Sequence, residues 1–154
     1  MPKIENPLLV SLYSQWVGRV LSETNNIEEA NEKLREVGKE MGYQLYLSTD
    51  LAEKTNSVSG SEDVPKLIDS IFRLLHNRRP SNVDYSSADT VRLVDKNCTW
   101  CQDITLEGMH GFGYCEGFSG VLEAILEFKG VEARVSQELC RATGDKNCTW
   151  IIRF

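Results

Sequence analysis

The spacing of apolar residues changes at Pro80, from steps of three and four to steps of two, so the chain divides into a helical part and a strand part. Before that point, Leu9, Leu12, Trp16 and Val20 recur on one face of a helix that runs from Pro7 to about Glu23. Asn26, with Glu29 three residues on, forms the capping pattern of a second helix. Ile27, Ala30, Leu34, Val37, Met41 and Leu45 carry its stripe to about Thr49. Gly38 and Gly42 stand four apart on that helix, where glycine costs about 1 kcal/mol relative to alanine, so another backbone is expected to pass close to them. The polar stretch TNSVSGSED separates a third helix, Val64 to His76, which carries Leu67, Ile68, Ile71, Phe72 and Leu75 on its apolar side.

Beyond Pro80, Val83, Tyr85, Val91 and Leu93 suggest short strands. Gly108, Gly111 and Gly113 lead into a fourth helix from about Tyr114 to Phe128, which Gly130 stops. The end reads as a hairpin, with Val131, Ala133, Val135 and Leu139 alternating on one strand and Cys148, Trp150, Ile152 and Phe154 on the other. Helices first and antiparallel strands after predict an α+β fold: amphipathic helices on one face of a small antiparallel sheet, ending in a C-terminal β-hairpin. A length of 154 residues suits a single domain spanning 1–154. The net charge of −6, with Arg78 and Arg79 as the only basic cluster, argues against a nucleic-acid partner. No apolar run approaches the roughly 20 residues of a membrane span, and the N-terminus lacks the order of a signal peptide, so a cytoplasmic protein is expected.

In a reducing compartment, spaced cysteines are metal ligands, redox groups or small core residues more often than disulfides. In CRATGDKNC, a turn at Gly144 and Asp145 would let Cys140 and Cys148 face a shared cation, and two thiolates leave two tetrahedral positions open. CTWC, at Cys98 and Cys101, has the spacing of half a zinc site or of a redox pair, and could complete a four-cysteine set with the hairpin pair. The opposing reading packs all five cysteines as small apolar side chains. DKNCTW occurs twice, at 95–100 and 145–150, within no longer repeat. GFGYCEG lacks the Lys-Ser/Thr of a phosphate loop, and His76 and His110 have no partner at a catalytic spacing, so no enzymatic activity is expected.

The C-terminal pattern, a glycine-entered helix, a strand and CRATGDKNCTWIIRF, resembles the 4-vinyl reductase domain, which also occurs in small archaeal hydrocarbon-binding proteins and in sensor regions of aromatic-responsive regulators. NPLLVSLYSQWVGRVL, LREVGKEMGYQL, IFRLLHNRRPSNV and GFSGVLEAILEFKGVEARV resemble successive elements of Bet-three-type subunits of the transport protein particle, TRAPP. The resemblance implies a non-catalytic scaffold of the vesicle-tethering kind that pairs through its long helices, as a homodimer or with related subunits. The stripe of Leu9, Leu12, Trp16 and Val20 is the expected interface. It also implies, in several members, an apolar channel for a lipid or small hydrophobic ligand; the alternative is a sensor or carrier of such a molecule with a structural zinc. Cysteine acylation does not carry over, because the matching loop near Ser57 has no cysteine. From the regulators, the resemblance implies zinc on Cys115, Cys140, Cys148 and a glutamate. Strict spacing lands on Gln137, and the carboxylate stands next door at Glu138. Cys98 and Cys101 are the alternative ligands.

Overall fold

The computed structural model describes residues 7–48, 50–54, 64–76, 78–85, 87 and 89–154. Helices α1 (Pro7–Glu23), α2 (Ile27–Ser48), the short α3 (Leu51–Lys54) and α4 (Val64–His76) precede strands β1 (Asn82–Asp84) and β2 (Thr90–Asp95). Helix α5 (Glu116–Phe128), β3 (Arg134–Leu139) and β4 (Cys148–Arg153) follow, with a 3₁₀ turn at Arg141–Thr143 between the last two strands. The four strands form one antiparallel sheet in the order β1-β2-β4-β3. The α+β class read from the sequence is thus the observed one.

Helix α2 starts where its capping pattern places it. The Asn26 side chain accepts the Glu29 N–H at 2.8 Å, and the Glu29 carboxylate reaches back to the Asn25 N–H at 3.2 Å, one residue further out than in the usual box. Helix α5 is buried from Glu116 through Leu126, which its position between α2 and the sheet requires. Gly38 and Gly42 explain how α2 comes so close. A Cβ at Gly38 would run into the Gly117 carbonyl of α5, and one at Gly42 would stand 2.7 Å from the Ala124 Cβ. The close backbone approach expected from the sequence is therefore the α2–α5 crossing.

Helix α1 carries two apolar stripes. Tyr13, Val17 and Val20 are buried in the core, whereas Leu8, Leu12 and Trp16 are exposed at 69%, 47% and 39%. The sequence stripe straddled both: Val20 belongs to this chain's own core, because positions 13, 17 and 20 share a helical face. Leu9 lies in α1, but its side chain is outside the described residues. Under the helices, Tyr13, Phe72, Trp100, Phe118 and Trp150 interlock edge to face, with centroids such as Tyr13–Trp100 at 4.8 Å and Phe118–Trp150 at 5.0 Å.

Strand β3 departs from its expected alternation. Gln137 pairs with Trp150, yet Leu139 pairs with Thr149, so Glu138 is an extra residue in a bulge. The bulge turns the following residues over: Leu139 is 38% exposed and Cys140 is buried.

Candidate metal centre

Four sulfur atoms from three places in the chain meet beneath α5. Cys98 and Cys101 lie in the loop after β2, Cys115 caps the start of α5, and Cys148 opens β4. Their Sγ atoms all lie within 4.8 Å of one another. Cys98 and Cys115 approach to 3.5 Å, as do Cys101 and Cys148. A tetrahedral ion with metal–sulfur bonds near 2.3 Å needs ligand sulfurs about 3.8 Å apart, so these four residues can hold one ion of the zinc type. All five cysteines are free and buried.

The fold holds this arrangement through contacts on every side. Asp95 pairs with Cys148 across β2 and β4, which brings the CTWC loop beside the hairpin. Arg78 grips the Asp95 carboxylate with two hydrogen bonds of 2.9 Å, and Asp95 accepts the Asn97 N–H at 3.1 Å. Leu106 N–H donates to the Ala142 carbonyl at 2.7 Å, fastening the same loop to the 3₁₀ turn. Gln137 accepts the Cys115 N–H at 2.9 Å, and Arg141 N–H points at the Cys148 sulfur at 3.5 Å. The two DKNCTW copies now have a shared role. Each delivers one sulfur to the group, Cys98 or Cys148, and one fully buried tryptophan beside it, Trp100 or Trp150.

The surroundings of the thiols shift their acidity in opposite directions. Hydrogen bonds from Cys115, Cys140, Cys148 and Cys98 hold Cys101 well below the usual thiol range, while burial pushes Cys98 and Cys115 up. Four buried thiols in mutual contact offer the sulfur donors that a zinc-type cation takes up as their protons leave.

The cysteines and the carboxylate of the hairpin reading take different positions in the structure. Cys115 and Cys148 are in the four-sulfur group; Cys140 is buried next to it but outside it. Glu138 points away from the sulfurs, because the bulge sets it on the exposed side of the sheet. There its carboxylate pairs with Arg92 at 2.5 Å. Gln137 is spent on backbone contacts. The two CTWC cysteines complete the group instead, brought in by the β2–β4 pairing. The glycine loop reaches α2 through Asn31, which donates to Gly111 O at 3.0 Å and accepts Gly113 N–H at 2.7 Å. His110 there is exposed and outside the group. The loop near Ser57 lies outside the described residues.

His76 is a buried, neutral partner of the CTWC loop. Trp100 Nε1–H donates to His76 Nε2 at 2.9 Å, which leaves Nδ1–H to donate to the Phe72 carbonyl at 3.0 Å. Burial pushes its pKa down from 6.5 to about 4. Because the folded value lies below the unfolded one, the unfolded chain binds the extra proton between the two. Stability is then present in full above pH 6.5 and is lost as pH falls toward 4, by about 3 kcal/mol. Urea denaturation of wild type and His76→Gln should show this as a steeper loss for wild type across that window; parallel curves would refute the assignment.

With the fold and the sulfur geometry in view, comparison with known proteins decides the family. A family model for transport protein particle (TRAPP) components matches residues 9–154. The chain belongs to the TRAPP component family. Among solved structures, this TRAPP-family chain is similar to a trafficking protein particle complex subunit 3 from Naegleria fowleri, covalently bound to palmitic acid. The TM-score is 0.83 at 18% identity, covering 95% of this chain and 92% of that one. It is similar also to the phenol-responsive sensory domain of the transcription activator PoxR with phenol, with a TM-score of 0.56 at 11% identity over 99% of this chain and 76% of that one. An H-NOX protein from Shewanella woodyi follows, with a TM-score of 0.52 at 16% identity over 99% and 73%. At these identities the likenesses concern the fold. No curated protein matches the sequence. Among the described residues, no helix is long and apolar enough to cross a membrane.

Proposed function

We propose that this TRAPP-family chain is a non-catalytic assembly subunit of the vesicle-tethering kind, acting in the cytoplasm, which pairs with a second copy or a related subunit and carries one structural zinc ion. The observation that carries the pairing is the outward face of α1. Leu8, Leu12 and Trp16 follow one another at four-residue steps and stay exposed, and Trp16 joins Val37, Met41 and Leu45 of α2 around a shallow apolar depression. Burying one such side chain stabilises by roughly 1.5–3 kcal/mol, so several together suffice for a micromolar dimer. Light scattering should find wild type as a dimer and Trp16→Glu as a monomer with an unchanged melting temperature. A wild-type chain that stays monomeric at high concentration would sink the homodimer. The zinc ligands of the proposal are Cys98, Cys101, Cys115 and Cys148, on the strength of their sulfur spacing.

The second reading, a carrier or sensor of a small hydrophobic molecule, draws its support from the palmitic acid and phenol in two structures of this fold. In this chain, the interior between α1, α4, α5 and the sheet holds the interlocked rings of Tyr13, Phe72, Trp100 and Phe118, which a ligand would have to part. Native mass spectrometry of protein purified from its own source separates the two readings. A stoichiometric lipid-sized mass supports the carrier, and its absence supports the scaffold.

A further inference from the structure

Five buried cysteines surround a position that can use only four. The surplus one is Cys140, whose thiol interacts with those of Cys101, Cys115 and Cys148. Its backbone is still extended, with φ −136° and ψ 124°, so the strand geometry of β3 continues through it. The β3–β4 pairing ends with Leu139 against Thr149, and Cys140 and Cys148 are the next residues of the two strands toward the turn. Both are buried, on the inner side of the sheet where Trp150 and Ile152 also lie. Residues that continue an antiparallel pair have Cα atoms about 4.5–5.5 Å apart, and Cα separations of about 4.4–6.8 Å accept a disulfide.

Cys140 also has a route to solvent. It lines a pocket of about 120 Å³ open to the surface, with Gly113, Gln137, Thr143 and Asp145 around it. That volume admits a few water-sized molecules.

We infer that Cys140 is an oxidant-accessible thiol that, on reaction with hydrogen peroxide, closes a disulfide with Cys148 and so withdraws one ligand from the metal centre. The release of metal rests on the zinc reading above; the disulfide does not. In the first step the Cys140 sulfur bonds to one peroxide oxygen as the O–O bond breaks. The departing hydroxide leaves as water with the thiol proton, and Cys140 becomes a sulfenic acid. The Cys148 sulfur then attacks the Cys140 sulfur, the S–O bond breaks, and the hydroxide leaves as a second water. Its proton comes from the Cys148 thiol, or from solvent where that sulfur was metal-bound. Two thiols and one peroxide give one disulfide and two waters, so the sulfurs are oxidised and the peroxide reduced. An ion left with three sulfurs is held less tightly and departs, and a thiol reductant restores the set.

The test uses the full chain loaded with zinc(II) and treated with hydrogen peroxide. A metal-sensitive dye follows release, and peptide mass spectrometry maps the bond. The expected result is a Cys140–Cys148 disulfide forming together with release of one zinc per chain, reversed by dithiothreitol. Cys140→Ser should bind zinc to the same stoichiometry, keep the wild-type circular dichroism, and release zinc at least tenfold more slowly. A Cys140→Ser chain that loses zinc at the wild-type rate overturns the proposal, as does a wild-type bond mapped to another pair such as Cys101–Cys148. If the chain takes up no zinc, the metal reading fails on its own. Peptide mapping of the peroxide-treated metal-free chain still decides whether Cys140 and Cys148 pair.

Discussion

Cys115→Ser should abolish zinc binding and lower the melting temperature by about 10 °C. Cys115 caps α5, and its partners come from the loop after β2 and from β4, so a bound ion cross-links three elements. Binding to the native state alone contributes about 4 kcal/mol when free metal stands a thousandfold above its dissociation constant. For a chain of this size each kcal/mol shifts the melting temperature by roughly 2–4 °C. A chelator should destabilise the wild-type chain by a similar amount and leave Cys115→Ser unaffected. Glu138→Gln should keep the metal and remove only an exposed ion pair with Arg92, a change under about 1 kcal/mol. Elemental analysis that finds no stoichiometric zinc in wild type, with no response to chelator, would show the four sulfurs to be packed thiols.

A loss of similar size is expected at a place the sequence did not single out. Arg35 of α2 reaches Glu116 at the start of α5 through Nε at 2.9 Å and Nη2 at 2.8 Å, and the two side chains are only 10% and 2% exposed. The other Glu116 oxygen accepts the Gln137 N–H of β3 and the Ser119 hydroxyl. One carboxylate thus joins both helices to the sheet beside the sulfur group. Burial raises the Glu116 pKa above its ordinary 4.5, and Arg35 pulls it back. Arg35→Met strands the carboxylate in a low dielectric and should cost about 4 kcal/mol in urea denaturation. Without the guanidinium, the folded pKa rises further above the unfolded one, so the protonated form is favoured by folding. That contribution is present below about pH 4.5 and fades as pH rises through the folded value. The deficit should therefore be larger at pH 8 than at pH 5, and Arg35→Met with Glu116→Gln should recover about half of it. An equal deficit at both pH values would mean that lost packing, not the stranded charge, is the cause.

Local order was legible in the sequence wherever it depends on neighbours along the chain. The period of three and four gave α1, α2 and α4 because a helix repeats every 3.6 residues, whatever it packs against. Asn26 and Glu29 marked the start of α2 because capping bonds span only a few residues. Gly38 and Gly42 even announced a close partner, since a glycine pair inside a helix is costly unless a backbone occupies the space.

The four-sulfur group was not legible in the same way, because no local rule brings residue 98 beside residue 148. The pairing of β2 with β4 does that, through Asp95 and Cys148, and it makes Cys98 and Cys101 members of the group. The outward position of Glu138 was equally out of reach, since one extra residue in β3 reverses which side chains face inward, and a bulge forms from the match of two strands. The face of α1 needed the tertiary structure too. Val20 and Trp16 share an apolar character and a periodic spacing, and only the placement of α2 and the sheet puts the first in the core and leaves the second at the surface. The amino-acid sequence alone therefore determined the elements and the supply of sulfur ligands. Which sulfurs meet, and which apolar face stays open, was decided by long-range strand pairing and helix packing, whose energies depend on residues far apart in the chain.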